Sequence, residues 1–84
     1  MDKLYVLVVV TCLDGVTETE TTLFNDLVTA KISFGENYRY QMKKAPEAAA
    51  YDGYFGDNKY WFEIGETSDK YWSRGEIQTI SING

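Results

Sequence analysis

Acidic and aromatic side chains are concentrated together in the later half of this 84-residue sequence. Between positions 45 and 69 there are six acidic residues and a single basic one, Lys59. Eight of the 13 aromatic residues fall between Tyr51 and Trp72. Tyrosine and tryptophan supply stiff contact area at protein interfaces, and carboxylates speed encounter with a positively charged partner. This combination is the feature of the chain whose chemistry points to recognition.

Two interpretations of this acidic, aromatic segment remain open. In the first, tyrosine and tryptophan form strands and supply core, while the acids decorate turns. In the second, the segment is a protein-binding surface; Tyr51, Tyr54 and Phe55 stand among turn residues and are therefore hard to assign to a core. Under the second interpretation, the predicted partner-binding residues are Glu18, Glu20, Asp52, Asp57, Glu63, Glu66 and Asp69 as steering charges, with Tyr54, Trp61 and Trp72 as anchors.

Catalytic chemistry has little support in the residue types present. The chain has no histidine and one cysteine, so neither a Cys-His pair, a Ser-His pair nor a His-containing zinc site can form. Carboxylate pairs such as Asp52 with Asp57, or Glu63 with Glu66, could act as acid and base, but acids at turns are far more often simply solvated. No EF-hand ligand spacing and no phosphate-binding glycine motif is present. We therefore predict no catalytic residue, no metal site and no cofactor.

The charge balance restricts the class of partner. Thirteen acidic residues against eight basic ones give a formal net charge of −5, whereas a binder of nucleic acid needs a clustered positive surface. Bases could stack on Trp61 and Trp72, but the negative charge around these rings opposes it. We predict a protein partner with a basic surface, and no direct contact with nucleic acid.

The single cysteine and the apolar run near Lys3 bear on location. One cysteine cannot form an internal disulfide, which favours a reducing, cytoplasmic setting, with Cys12 as a core residue. No apolar run approaches the roughly 18 residues of a transmembrane segment. The run after Lys3 is similar to a signal peptide, but its charged region is too short. Val9–Cys12 is similar to a lipoprotein cleavage site, but Thr11 replaces the small residue usual before the cysteine of such a site. We interpret the run as a strand and predict no membrane association.

The run Leu4–Leu13 is the stretch around which the fold is expected to form. It contains no charged residue and is rich in β-branched ones, which is typical of a strand buried on both faces. We predict that it is the central strand of a sheet. Asp14-Gly15 is a hairpin signal, and the alternating glutamates of Val16–Leu23 then predict an antiparallel second strand at the sheet edge.

A helix is predicted next, with Asn25 as its N-cap and Asp26 in its first turn. Gly35 is expected to mark a bend or a tight contact with the sheet, and Pro46 to end the helix. The apolar residues that recur at helical spacing are Leu27, Ala30 or Lys31, Phe34, Tyr38, Met42 and Ala45.

Positions 46–58 are ambiguous in the sequence. Glu47–Ala50 favours one more helical turn, with the preceding proline as its first residue. Asp52-Gly53 and Gly56-Asp57-Asn58 are both turn sequences. We leave this segment open between helix, strand and loop.

Two further strands are predicted, Lys59–Ile64 and Tyr71–Ile82. Gly75 is expected to form a bulge in the last strand, because a glycine inside a strand pattern often marks one. Ile80 and Ile82 are expected to point into the core.

The predicted order is therefore strand-strand-helix-strand-strand, an α+β domain spanning residues 1–84 with an antiparallel sheet and one helix packed on one face. One helix covers one face, yet Leu4–Leu13 is apolar on both. Either aromatic side chains such as Trp61 and Trp72 cover the second face or a second copy of the chain does. We favour a homodimer over a monomer.

In size, acidity and layout the whole chain resembles small proteins encoded by phages and mobile elements, including anti-CRISPR-like inhibitors; the resemblance rests on layout rather than on a motif. It implies inhibition by occupying a nucleic-acid-binding or catalytic surface of a host defence protein. The leading hypothesis is a non-enzymatic, cytoplasmic binding protein that docks an acidic, aromatic surface on a basic partner. The alternatives are a homo-oligomeric assembly protein that uses the uncovered sheet face, and a binder of a small ligand or metal in an aromatic pocket.

Overall fold

The computed structural model describes residues 3–55 and 59–82, with the backbone alone at positions 54, 55 and 59. These residues form five strands and one helix: β1 (Lys3–Leu13), β2 (Val16–Phe24), α1 (Leu27–Lys44), β3 (Ala50–Phe55), β4 (Lys59–Ile64) and β5 (Tyr71–Ser81). The strands make one antiparallel sheet in the order β2-β1-β5-β4-β3. The predicted α+β class, with one helix on one face of an antiparallel sheet, is confirmed.

β1 is an interior strand that pairs with β2 along one edge and with β5 along the other. The hairpin between β1 and β2 turns at Asp14 and Gly15, whose φ angles are +52° and +83°. Two positive φ angles are what the two-residue type I′ turn requires, so this prediction is confirmed. The middle strand of the sheet is β5 rather than β1, because β3 adds a fifth strand beyond β4 and shifts the centre.

α1 begins with a different cap from the one predicted. Asp26, not Asn25, is the N-cap, and its carboxylate accepts hydrogen bonds from the backbone N–H groups of Val28 and Thr29 at 3.2 and 3.0 Å. The Thr29 hydroxyl donates to the same carboxylate, and these bonds lower the pKa of Asp26. The helix ends at Lys44, two residues before the proline.

The core lies between α1 and one face of the sheet, which we call the covered face. Leu7, Phe62 and Ile77 on that face are at most 2% exposed, and the Phe34 ring of α1 meets the Phe62 ring edge-on at 5.4 Å between centroids. The predicted helical spacing is confirmed, since the residues of α1 and its C-cap that belong to or pack against this core are Leu27, Ala30, Phe34, Tyr38, Met42 and Ala45.

Gly35 was predicted to mark a bend or a tight contact with the sheet, and the contact with the sheet is not made. The nearest atoms to a Cβ at this position belong to the Arg39 side chain, one turn further along α1, at 3.3 Å. No feature of the described residues requires glycine here.

The largest departure from the predicted layout is β3. Residues 46–48 form a turn rather than a further turn of helix, and Asp52-Gly53 lies inside a strand rather than in a turn. The strand forms because each residue from Ala50 to Phe55 pairs with β4, which satisfies the backbone groups that face β4, and Ala50 packs against the core. The order is therefore strand-strand-helix-strand-strand-strand. The predicted turn at positions 56–58 lies outside the described residues.

Gly75 does not form the predicted bulge. The pairing register of β5 is continuous on both sides, with Gly75 opposite Val9 of β1 and Phe62 of β4. A Cβ at Gly75 would lie 2.2 Å from Cε2 of the Phe62 ring. Glycine stands here because the ring of Phe62 occupies the space that a side chain would need.

Ile80 and Ile82 do not reach the core, since they are 42% and 44% exposed. Side chains alternate between the two faces of a strand, so Ile80 lies on the opposite face from the buried Ile77, three residues earlier. Ile82 follows the last residue of β5. The prediction that both point inward was therefore wrong.

Candidate functional site

The second face of the sheet, which we call the open face, has no helix of the described residues packed on it. Residues directly opposite each other in antiparallel strands point to the same side. Starting from Val8 and Val10 of β1, the register places Glu76 and Arg74 of β5 and then Trp61 of β4 on the open face. Apolar, aromatic and charged side chains thus share one surface.

The centre of the open face is an apolar stripe along β1. Val6 and Cys12 are only 7% and 6% exposed although no helix of the described residues packs over them. Val8 and Val10 between them are half-buried and form the floor of a groove of about 390 Å³. Trp61, Glu63, Arg74 and Glu76 line the remainder of this groove, together with Phe62 and Gly75.

Trp61 extends over the outer strand of the sheet. A Cβ at Gly53 of β3, directly opposite, would lie 3.3 Å from Cζ2 of the indole. The missing side chain at Gly53 therefore lets the indole approach the β3 backbone closely. Trp61 is half-buried, and one wall of the groove is set by this contact.

Arg74 is held in place by four contacts at the other wall of the groove. Its Nη1 donates to the carbonyl oxygens of Ser73 at 2.8 Å and Ile64 at 3.1 Å, and its Nε lies 3.7 Å from Oε2 of Glu63. Its guanidinium carbon lies 5.3 Å from the centroid of the Trp72 ring, within the range of a cation–π interaction. Arg74 thereby contacts both Trp72 and Glu63 on the open face.

Two acids lie in the turn between β4 and β5, at the end of the open face next to Trp72. The backbone N–H of Glu66 donates to Oδ2 of Asp69 at 2.7 Å, and the N–H of Asp69 donates to the carbonyl of Glu66 at 2.9 Å. Gly65 begins this turn with φ +75°. Asp69 therefore orders the turn, while the Glu66 side chain is exposed.

The ten predicted partner-binding residues are spread over both sides of the sheet. Trp61, Glu63 and Trp72 share the open face, and Glu66 and Asp69 lie in the turn at its end. Asp52 is exposed on the opposite face, on the edge strand β3, and Glu18 and Glu20 are exposed on that same face of the other edge strand, β2. The Tyr54 side chain and Asp57 lie outside the described residues.

A second concave region lies on the side of the sheet that carries α1, and we call it the helix-side cleft. It consists of two adjoining cavities of about 330 and 680 Å³ between the later turns of α1 and the β1–β2 hairpin. Thr11, Glu18 and Lys44 line both cavities. Here the helix leaves part of β2 uncovered, so polar side chains rather than core residues face one another.

The polar groups of the helix-side cleft include one that is buried. Gln41 of α1 is 5% exposed, and its Oε1 accepts a hydrogen bond from the Tyr71 hydroxyl. Burial raises the pKa of Tyr71, although the positive charge of Lys44 acts in the opposite direction. The Nζ of Lys44 lies 4.6 Å from the centroid of the Tyr40 ring.

Sequence reasoning missed Gln41 and Tyr71. A usable signal was present, because Gln41 stands seven residues after Phe34 and three after Tyr38, on the apolar stripe of the predicted helix. A polar residue at such a position is expected to be buried and to need a hydrogen-bond partner.

Two other kinds of site are missing from the described part of the chain. No group of three or more acidic or cysteine side chains among residues 3–55 and 59–82 could hold a metal ion. Within the same residues, no helix has the length and apolar character required to cross a membrane.

Comparison of this chain with family models, curated protein sequences and solved structures gives no match.

Proposed function

We propose that this chain is a non-enzymatic protein-binding module that docks its open face on a basic surface of another protein. The observation that carries the proposal is the position of Trp61 and Trp72 on a sheet face that no helix of the described residues covers. Large aromatic side chains around an apolar floor are typical anchors of protein interfaces.

The size of the open face fits a protein partner. At about 3.3 Å per residue along a strand and about 4.8 Å between strands, the five strands present a face of about 700 Å². A standard protein interface buries about 800 Å² on each partner. The groove at its centre has a volume of about 390 Å³ and an apolar floor, so it can accept a side chain from the partner.

The charges around the open face favour a basic partner. Glu63 and Glu76 lie on this face and Glu66 and Asp69 lie in the adjoining turn, whereas the cations in the same region are Arg74 and Lys70. The chain as a whole carries a formal charge of −5. Such a field accelerates association with a positively charged surface and opposes association with a negative one.

The resemblance to phage-encoded inhibitors implies a biological role for this docking, namely inhibition of a host protein. A small acidic module that covers the basic, nucleic-acid-binding surface of a host protein would inhibit that protein without any catalysis. The single cysteine fits action in the reducing environment of the cytoplasm.

Self-association is the second candidate, and the apolar stripe of β1 favours it. Leu23 and Ile80, both on the open face, are 62% and 42% exposed. Two copies packed through these residues would bury apolar surface on each side, but they would also bring two chains of charge −5 together. Light scattering over a range of concentrations and salt separates the candidates, because a monomer at all concentrations removes self-association.

Site-specific photo-crosslinking tests the docking face directly. A benzoylphenylalanine replaces Thr19 on the open face or, as a control, Ile32 on the exposed side of α1. In the cells that express the protein, we expect Thr19 alone to yield a crosslinked protein, attached through a basic surface. Crosslinks from Ile32 alone, or to an acidic surface, would refute the proposal, and a crosslink to a second copy would support self-association instead.

Charge reversal of two acids near the open face, compared with reversal of two acids elsewhere, then tests whether local negative charge speeds association with the partner. The double variant Glu63→Lys/Glu66→Lys should slow association with that partner by about tenfold and weaken its dependence on salt. The control Glu36→Lys/Glu47→Lys changes the net charge equally at exposed positions elsewhere. Equal slowing in both variants would show that only net charge matters and would contradict local docking.

A further inference from the structure

The outer edge of β2 is a long and regular row of backbone groups. β2 ends the sheet, and among the described strands it pairs with β1 alone. Its nine residues include no proline and no glycine, and all of them pair with β1 without a bulge. Proline, a bulge or a very short length would close an edge strand to further pairing. β2 has none of these features, so its edge can accept another strand.

The turn between β1 and β2 determines which residues of β2 direct their backbone groups outward. In a two-residue hairpin the residues on either side of the turn, here Leu13 and Val16, exchange backbone hydrogen bonds. Such pairs alternate along an antiparallel ladder, so Glu18 and Glu20 also bond to β1. The residues between them direct their N–H and C=O groups away from β1. These outward residues are Thr17, Thr19, Thr21 and Leu23.

The side chains of β2 decide which strand fits this edge. A residue added opposite Thr19 would exchange backbone hydrogen bonds with it, and its two neighbours would lie opposite Glu18 and Glu20. Those two pairs would be of the non-hydrogen-bonded kind, in which side chains come closest, with about 4.5 Å between Cα atoms. Opposite charges at such pairs are favourable. The edge is therefore complementary to a strand with lysine or arginine at alternate positions.

A second copy of the chain does not have this complementarity. If two β2 strands paired about Thr19, Glu18 of each copy would lie opposite Glu20 of the other. Like charges directly opposite each other in a sheet are destabilising. The charges that admit a basic strand therefore keep the edges of two copies apart, which is how one surface selects between partners.

Space for long basic side chains is available on the helix side of β2. Glu18 and Glu20 line the cavity of about 330 Å³ in the helix-side cleft. Lys44 lines the same cavity, but its ammonium lies 4.6 Å from the centroid of the Tyr40 ring. A lysine or arginine side chain of an added strand therefore finds two carboxylates with open space beside them.

We propose that β2 binds an extended segment of another protein as a sixth, antiparallel strand of the sheet. Lysine or arginine side chains of the segment lie opposite Glu18 and Glu20, and uncharged β-branched side chains lie opposite the threonines between them. In this mode of recognition the backbone hydrogen bonds supply affinity, and the alternate side chains supply specificity.

The proposal does not depend on the docking function of the open face. It uses the backbone edge of β2 and the carboxylates on the helix side, whereas docking uses Trp61 and Trp72 on the open face. A defined peptide tests the edge and the native partner tests the face, so either proposal can fail while the other passes.

Hydrogen exchange in the free protein tests the outward row. The backbone amide protons of Thr19 and Thr21 should exchange at least about tenfold faster than those of Glu18 and Glu20, because only the latter two are bonded to β1. Slower exchange at Thr19 than at Glu18 would reverse the assigned pattern and overturn the proposal. Protection of Thr19 that rises with protein concentration would show that a second copy occupies the edge, which also contradicts it.

A nine-residue peptide of alternating valine and lysine, acetylated and amidated, tests the added strand. We expect it to protect the amide protons of Thr19 and Thr21 saturably. N-methylation of its valines, whose N–H groups would face β2, should weaken binding by at least about tenfold. N-methylation of its lysines, whose N–H groups would point away, should weaken it by less than about threefold. Equal effects of the two methylations, absence of saturable protection, or equal binding of a valine-glutamate peptide would overturn the proposal.

Paired variants test the choice of a basic strand. Glu18→Gln/Glu20→Gln, at exposed positions, should weaken binding of the valine-lysine peptide by about tenfold. The control Glu63→Gln/Glu66→Gln removes the same charge at exposed positions away from β2. An equal loss in the control would show diffuse electrostatic attraction and contradict the proposal.

Thr19→Pro tests the backbone directly. It removes an outward N–H but no hydrogen bond to β1, so it should abolish peptide binding while the hairpin remains. Unchanged binding in a folded Thr19→Pro variant would refute strand addition. If that variant does not fold, the methylated peptides make the same test on the wild-type protein.

Discussion

The two faces of the sheet bury apolar side chains by different means. On the covered face, Leu7, Phe62 and Ile77 meet the aromatic side chains of α1 and are at most 2% exposed. On the open face, Val6 and Cys12 are nearly as buried without a helix of the described residues over them, and Val8 and Val10 stay half-buried. A strand that is apolar on both faces therefore supports a packed core on one side and a partly solvent-exposed surface on the other. Substitutions on the covered face should lower the free energy of unfolding, and substitutions on the open face should weaken the proposed binding of a partner.

The sharpest test of this contrast uses two neighbours in β4 that point to opposite faces. Phe62→Ala removes a ring that contacts Phe34 and Tyr38 and should lower the free energy of unfolding by about 4 kcal/mol. That is a large part of the roughly 5–15 kcal/mol typical of a domain. Trp61→Ala, one residue earlier and half-buried, should cost only about 1–2 kcal/mol. Urea denaturation measures both.

Partner binding should show the reverse order. Trp61→Ala removes an anchor of the proposed docking face, whereas a folded covered-face variant leaves that face intact. Equal stability losses at Phe62 and Trp61 would mean that the open face is as tightly packed as the core, and the contrast between the faces would be lost.

Two glycines provide the next test, with a smaller expected effect. Gly75→Ala places a Cβ 2.2 Å from the buried Phe62 ring, which cannot move freely, and should cost about 2–3 kcal/mol. Gly53→Ala places a Cβ 3.3 Å from Trp61, whose side chain can shift on the open face, and should change stability by less than about 1 kcal/mol. A double-mutant cycle with Phe62→Leu should show strong coupling to Gly75→Ala, and additivity there would rule out the steric cause.

The smallest effect concerns how α1 is held over the covered face. Because hydrogen bonds lower the pKa of Asp26, its capping contribution is present above its unfolded pKa of about 3.8 and is lost as pH falls through the lower folded value. Asp26→Asn keeps a capping side chain that does not titrate. We expect the wild type to lose more stability than this variant between pH 5 and pH 2, measured by thermal unfolding. Identical losses would show that the Asp26 carboxylate does not contribute.

Local patterns in the sequence were sufficient where the structure depends on near neighbours. Asp14-Gly15 specifies its own turn, and the spacing from Leu27 to Ala45 specifies which side of α1 is buried. The alternating glutamates of β2 correctly indicated an edge strand, because charged side chains there discourage pairing of the free edge with another chain.

The sequence was insufficient where tertiary contacts decide the outcome. Gly75 has the local appearance of a bulge, but its role is set by Phe62, 13 residues away and on another strand. Asp52-Gly53 has the appearance of a turn, but pairing with β4 makes a strand there, and the indole of Trp61 lies close to Gly53. Neither partner can be identified from the residues next to the glycine.

The candidate sites show the same division. Trp61, Glu63 and Trp72 were grouped from composition, and strand alternation places them on one face. The same alternation separates Glu18 and Glu20 from that group by the full thickness of the sheet. The sequence gives no measure of which strands lie beside each other, so it could not divide the acids between two surfaces.

The ladder between β1 and β5, from Lys3 opposite Ser81 to Leu13 opposite Tyr71, has a consequence for biosynthesis. At about 5–20 residues per second, the β1–β2 hairpin leaves the ribosome roughly 2–10 s before β5 does. Throughout that interval the valine-rich edge of β1 is available for pairing with another nascent chain. Efficient production of this protein therefore depends on keeping newly made hairpins apart until translation supplies the strand that closes them.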